Sequence, residues 1–251
     1  MTNPEQDDPP AGDLESTSAD DAATEDAKPR PPLGDIDSIC RDEIVIVIDP
    51  GHGDNYGQGV DSGAIHPNPL PKDGSGSKEK DLALQVSVAL KAALDGKPHV
   101  KAVYLTRTAD VTTKVTRFTW RTNVATAKEA QIFLCIHLNS AASAKTAGHV
   151  AYYYPGPIAG ESRKLCTSIS TSYKVIPPSS AGGVISEASH IGLVKFGAPS
   201  PVKAATLIEV GFLSNDADRA TIATRTAQVA EEIAGGVAAY VEANLAALFA
   251  R

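Results

Sequence analysis

From about residue 43 onward, apolar and polar positions alternate between two textures. Glu43-Ile-Val-Ile-Val-Ile48 is a continuous β-branched run, the pattern of a strand buried on both faces. Apolar runs at Val100–Thr106, Gln131–His137, His149–Tyr154, Ile191–Phe196 and Ala204–Val210 predict five more strands. Between them the spacing becomes helical. Leu82, Val86, Ala89, Leu90, Ala93 and Leu94 form one apolar face over Lys78–Leu94, with Ser77 as the expected N-cap and Gly96 as the stop. Val115–Lys128 and Ile158–Tyr173 read as helices. A long C-terminal helix carries Val229, Ile233, Val237, Val241, Leu245 and Leu248 on one face. Asp49-Pro50-Gly51-His52-Gly53 must be a turn, and a Gly-, Pro- and Asn-rich loop follows it to Ser77. Strands alternating with helices predict an α/β fold, a mixed, mostly parallel sheet of about six strands with helices on both faces.

The first stretch is different. Residues 1–40 are rich in Pro, Asp, Glu, Ser and Ala and contain no Phe, Tyr or Trp. Such a segment cannot bury enough apolar surface to offset its ordering entropy, so it reads as a disordered acidic tail before one folded domain over residues 41–251. Charge divides the same way. Of the formal net charge of -7, residues 1–42 carry -9 and the rest carries +2. A nearly neutral folded part has no strong basic face for nucleic acid. No apolar stretch is long enough to span a membrane; the most apolar, Val229–Phe249, is broken by Glu231, Glu232, Glu242 and Asn244. Three cysteines (Cys40, Cys135 and Cys166), none at Cys-x-x-Cys spacing, argue against a disulfide framework or a cysteine zinc knuckle.

Candidate chemistry gathers where apolar strands end. His52 follows the first strand, His137 ends the third, and Glu209 lies within Leu207-Ile-Glu-Val-Gly-Phe. In open α/β sheets ligands bind at the carboxyl ends of the strands. Glu79 falls in the first turn of a helix, near the loop that bears His52. Two imidazoles and a carboxylate are ligand types of a catalytic zinc, with a second carboxylate available as base. The spacing alone does not establish it, since there is no His-Glu-x-x-His motif. Read alone, a histidine at a strand end is more often a hydrogen-bonded structural residue, and Glu79 a helix-dipole carboxylate. Glu209 is harder to dismiss, because a carboxylate within an apolar strand is costly unless paired or bound to a cation. His66, His99, His149 and His190 are assigned to structure or solvent.

Seven strings occur in order: DPGHG (Asp49–Gly53), DSGAI (Asp61–Ile65), KEKDLAL (Lys78–Leu84), LTRTAD (Leu105–Asp110), WRTNVA (Trp120–Ala125), CIHLNS (Cys135–Ser140) and IEVGFLSN (Ile208–Asn215). Together they resemble the zinc-dependent N-acetylmuramoyl-L-alanine amidases of the amidase-3 family, over nearly all of residues 43–251. The resemblance implies one Zn2+ ion held by His52, Glu79 and His137, with Glu209 as general base. It implies hydrolysis of the amide between N-acetylmuramic acid and the L-alanine of the stem peptide, with peptidoglycan as the partner. Asp49 is the expected orienting carboxylate for His52, and Asn139 shapes the same rim. Asp54 stands where many relatives have Gly, and Cys135 where a small hydroxyl residue is common. The loop His66–Ser77 is long and Pro-rich and is expected at the substrate rim. Ser179–His190 reads as an exposed loop. The other reading is a small lid from which Glu187 or His190 reaches the metal.

Two other functions compete. A cysteine peptidase built on Cys135 and His137 needs an accessible, activated thiolate. A non-catalytic peptidoglycan-binding domain would be expected to have lost Glu209 or a ligand. A different zinc peptidase of the cell wall is the nearest alternative enzyme. MTNPEQDDPPAGDLE has no basic n-region and no apolar h-region, so no signal peptide is expected there. Action in the periplasm or wall then implies delivery by a holin or a secretion system, or a signal that has been removed. An injected antibacterial effector would also require an immunity protein.

Overall fold

A computed structural model describes residues 43–55, 59–112, 118–189, 191–197 and 199–249. In chain order the elements are β1 (Ile44–Pro50), β2 (Ile65–His66), β3 (Ser77–Lys78), α1 (Glu79–Leu94), β4 (Val100–Leu105), α2 (Phe118–Ala127) and β5 (Ile132–Asn139). There follow β6 (Val150–Tyr153), α3 (Ala159–Ser172), β7 (Val184–Ser186), a 3-10 turn (Gly192–Val194), β8 (Ala204–Phe212), α4 (Asp216–Thr224) and α5 (Thr226–Phe249). Six strands form one sheet in the order β4-β1-β5-β8-β6-β7. β4, β1, β5 and β8 run parallel; β6 is antiparallel to β8, and β7 runs parallel to β6. The expected α/β class and strand number are both found. The expected tail lies outside the described residues, as does the start of the Val115–Lys128 helix.

Strand alternation separates two cores. Ile44, Ile46 and Ile48 of β1, Ile132, Leu134 and Ile136 of β5, and Ile208 and Val210 of β8 share one buried cluster with residues of α1, α3 and α5. Val47, Phe133, Cys135, Ala205 and Leu207 point the other way, into a smaller cluster with Ala125 of α2 and Leu193 and Val194 of the 3-10 turn. Helices therefore cover both faces. In α1 the predicted stripe is the buried one, since Leu82, Val86, Leu90 and Leu94 are all at most 9% exposed. α5 lies close against α3. A Cβ on Gly236 would come within 2.6 Å of the Ile169 Cα, so only glycine permits this approach.

Two elements differ from expectation. Ile191–Phe196 is not a strand. Ile191, Leu193 and Val194 are buried against the second face of the sheet, and the chain there makes a 3-10 turn beginning at Gly192. A short apolar run reports burial without fixing its backbone period. The sixth strand is Val184–Ser186, within the segment expected to be a loop. Ser77 does not cap α1 either. It pairs in the β2–β3 clip, and the first helical N–H groups bond to backbone carbonyls: Glu79 N–H to Ala64 O at 2.8 Å and Lys80 N–H to Ser62 O at 3.2 Å. Among the described residues, no helix is long and apolar enough to cross a membrane.

Candidate metal centre at the carboxyl edge of the sheet

The four predicted residues meet at the carboxyl ends of β1, β5 and β8. His137 and Glu209 are register partners on adjacent parallel strands, which puts both side chains on the same face. His52 lies just beyond β1. Glu79 opens α1 and reaches over the sheet edge. His52, Glu79 and His137 each offer a ligand atom, all within 4.8 Å of one another. One oxygen, Glu79 Oε1, lies 3.0 Å from His52 Nε2 and 2.9 Å from His137 Nδ1, and also accepts from Leu138 N–H at 3.0 Å. Two imidazole nitrogens converging on one carboxylate oxygen is the donor set that a divalent cation can organise. Glu209 Oε2, on the same face of the sheet as His137, is buried without a hydrogen-bond partner. Buried polar atoms without partners are rare and call for an explanation such as an ion. The residues present therefore fit a bound metal.

An open cavity of about 420 Å³ lies over this cluster, lined by His52, Ala64, Glu79, His137–Ser140, Tyr152, Glu187, Ile191, Leu207 and Glu209. Asn139 is on its wall, as expected. The loop His66–Ser77 contributes none of the lining residues, so it does not form this rim. Glu187 lines the cavity but lies outside the three-residue cluster. His190 is outside the described residues.

The turn that carries His52 is held by two buried arginines. His52 has φ of 56°, a left-handed conformation that a non-glycine residue adopts only when its surroundings impose it. Arg121 Nη1 donates to Pro50 O at 2.7 Å and Arg121 Nη2 to His52 O at 2.6 Å. Arg107 Nε donates to Pro50 O at 3.0 Å, and Arg107 Nη2 to Gly51 O at 2.7 Å. Three consecutive carbonyls are thus gripped from below. Gly51 is required here, because a Cβ would come within 2.6 Å of the His137 ring.

The carboxylate expected to orient His52 is a different one. Asp49 is fully buried and turned toward α2, where it accepts from Thr106 Oγ1, Arg121 Nη1 and the Cys135 thiol. His52 Nδ1 instead pairs with Asp61 Oδ2 at 2.7 Å. Asp54, which in sequence stands out only as a departure from relatives, is the second carboxylate of Arg121, at 2.6 and 2.9 Å. Arg107, Arg121, Asp54 and Asp61 are the residues that sequence reasoning missed, although three of them lie inside the quoted strings and Asp54 directly follows one. Cys135 is fully buried, and burial, with Asp49 beside it, pushes its thiol well above its ordinary range. That removes it as a nucleophile. His149 is structural, bonded to Ile176 O at 2.7 Å and Ser170 Oγ at 2.9 Å.

Without metal, this cluster makes stability depend on pH. Burial lowers the pKa of His52, but Glu79 and Asp61 outweigh it and raise the imidazole from 6.5 to about 9. Its extra proton therefore stabilises the fold fully below pH 6.5, and that contribution is lost as the pH rises through 9. Glu209 acts in the same direction. Burial raises it from 4.5 to about 7, against the pull of His137, so its contribution falls over that interval as the unfolded chain ionises first. In chelator, the urea midpoint is expected to be higher at about pH 6.5 than at about pH 9, and saturating zinc, which competes with the imidazole proton, should narrow the gap. Equal chelated midpoints at the two pH values would contradict this account.

Fold and cluster together define an α/β protein with a His/Glu/His cluster able to hold a metal ion at the carboxyl edge of a mostly parallel sheet. The family model described as N-acetylmuramoyl-L-alanine amidase (Amidase_3) matches residues 46–239, and the chain belongs to that family. It is 37% identical to the N-acetylmuramoyl-L-alanine amidase CwlM of Bacillus licheniformis over 113 residues, covering 45% of this chain and 37% of that protein. It is 28% identical to the amidase LytC of Bacillus subtilis (strain 168) over 197 residues, covering 78% of this chain and 35% of that protein. The chain thus spans about a third of the length of these relatives. Among solved structures, the CwlD amidase of Clostridioides difficile, in complex with the GerS lipoprotein, superposes with a TM-score of 0.64 at 26% identity, over 80% of this chain and 100% of that one. The catalytic domain of CwlV from Bacillus (Paenibacillus) polymyxa var. colistinus gives a TM-score of 0.61 at 25% identity, over 79% and 98%. The fold is that of amidase catalytic domains.

Proposed function

We propose that residues 41–251 form a zinc-dependent peptidoglycan amidase that hydrolyses the amide joining the lactyl group of N-acetylmuramic acid to the stem-peptide L-alanine. The observation that carries this reading is the convergence of His52, His137 and Glu79 beside a buried, unpartnered Glu209 oxygen. His52, Glu79 and His137 would hold the ion. When bound, zinc supplies Lewis acidity to a carbonyl and lowers the pKa of water. Glu209 takes a proton from the attacking water as the new C–O bond forms. It returns that proton to the nitrogen as the C–N bond breaks, so the amine leaves neutral. Burial raises this carboxyl above its ordinary range, the direction that suits a group which takes up and returns a proton near neutral pH. Asn139, Tyr152 and Glu187 line the cavity that would receive the substrate. The place of action is the wall, where that substrate lies.

Retention of Glu209 together with all three ligands favours an enzyme over a non-catalytic wall-binding module. The test joins metal analysis of the purified protein with product masses after digestion of sacculi. One zinc per chain and free stem peptides beginning with L-alanine are expected. Chelation should abolish cleavage, and added zinc should restore it. Cleavage that survives complete metal removal, or cuts confined to bonds within the stem peptide, would refute the proposal.

A further inference from the structure

Asp61–Ala64 touches two of the three residues that would hold the metal. Asp61 Oδ2 accepts from His52 Nδ1 at 2.7 Å, while its other oxygen accepts from Gly63 N–H at 2.9 Å. Ala64 N–H donates to Glu79 Oε2 at 2.8 Å. The same four residues are bonded by backbone to both ligand-bearing elements. On the His52 side, Gly53 N–H donates to Asp61 O at 2.9 Å and Asp61 N–H to Asp54 O at 2.7 Å. On the other side, Ala64 O and Ser62 O accept the first two N–H groups of α1. Gly63 has φ of 63°, and a Cβ there would lie 2.5 Å from His52 Cδ2 and 2.6 Å from Glu79 Oε2. The segment is therefore a strap fastened to the His52 turn and to the start of α1, and it passes too close to both ligands for any side chain at Gly63.

We propose that Asp61 is the positioning residue of His52 and that the Asp61–Ala64 strap sets the His52–Glu79 geometry before metal arrives. The proposal rests on the zinc reading above. A carboxylate on the remote imidazole nitrogen fixes the tautomer and the ring plane, leaving Nε2 directed at Glu79 and free to act as a ligand. The Ala64 amide fixes the Glu79 carboxylate in the same way, by holding the oxygen that faces away from His137. His137 has no such support on its Nε2, so the strap side of the centre is the preorganised one.

The test uses the full chain and reads zinc affinity by competition with a chromophoric chelator, alongside the visible spectrum of the Co2+-loaded protein and the thermal midpoint of each metal-free form. Asp61→Ala is expected to bind zinc about 10–100-fold more weakly and to alter the Co2+ bands. Asp61→Asn, which keeps an acceptor oxygen but not the charge, should lose less. Gly63→Ala should weaken zinc at least as much as Asp61→Ala. If Asp61→Ala does not fold, Asp61→Asn carries the comparison. A merely structural role would lower the metal-free midpoints and leave zinc affinity and Co2+ bands of the folded protein unchanged. Zinc affinity within twofold of the parent in the folded Asp61 variants, with unchanged bands, overturns the proposal. If the parent protein itself binds no zinc, the amidase reading fails first and takes this inference with it.

Discussion

Glu209→Gln is expected to leave a folded, zinc-loaded protein whose cleavage of sacculi falls by about 10²–10⁴-fold, the range for loss of a general acid–base group. Glutamine keeps the size of the side chain and removes the proton-carrying oxygen. The site around it gives no substitute. Glu209 is held on β8 as the register partner of His137, and its Oε2 has no protein partner. Glu79 is committed to His52, His137, Leu138 and Ala64, and those imidazoles hold its carboxyl well below the usual range against the effect of burial. Glu187 spends one oxygen on Ser189. Zinc content should not change, because Glu209 is outside the ligand set. Cleavage rate and bound metal measured on the same preparation decide the matter. Undiminished cleavage would remove Glu209 as the base, and loss of zinc would recast it as a ligand.

Arg121→Met is expected to be the most destabilising single change near the site. The guanidinium makes four hydrogen bonds, to Asp54 Oδ2, Asp49 Oδ1, Pro50 O and His52 O, and its Nη2 pairs with Asp54 Oδ1 at 2.6 Å. Arg121 is 1% exposed, and Asp49 and Asp54 are both at 0%. Removing the cation leaves two buried carboxylates without their partner, and breaking a buried pair costs about 3–5 kcal/mol. For a domain of this size that lowers Tm by roughly 6–20 °C. Lysine would not rescue it, since a single ammonium cannot span both carboxylates and two carbonyls. The His52 turn would also lose one of its two clamps, so zinc affinity should weaken with stability. Thermal unfolding followed by circular dichroism, with zinc titration of the folded fraction, checks both. A Tm within 2 °C of the parent (roughly the shift from 1 kcal/mol or less), with unaltered affinity, would show that the network contributes little.

Much of this site is legible in the order of residues alone. His52, His137 and Glu209 stand at the ends of apolar runs, and parallel strands bring such ends to one edge. Glu79 is legible as the first-turn carboxylate of a strongly periodic helix. The supporting residues are not. Asp49 lies three positions from His52, and proximity along the chain suggests that it orients the ring. Strand alternation instead sends Asp49 toward α2, to Arg121, while the left-handed turn sends His52 over the sheet edge toward Asp61. Arg107 and Arg121 look like ordinary surface cations in the sequence. Arg107 lies just after β4 and Arg121 in the first turn of α2, and their burial follows from where the fold puts those two places, which no local pattern records. The run Ile191–Phe196 is buried, as its apolar character predicts. It is a 3-10 turn and not the expected strand, because burial of three apolar residues does not fix φ and ψ.

The amino-acid order by itself determined the α/β class, the apolar faces and the residue types able to ligate a metal. Those depend on spacings of two, three and four residues, over which backbone geometry is nearly rigid. Which carboxylate serves which cation was decided only in three dimensions. A buried charge chooses the partner that lies within about 3 Å, and Asp61, Asp54, Arg107 and Arg121 reach the His52 turn from loops and elements up to 72 residues away along the chain.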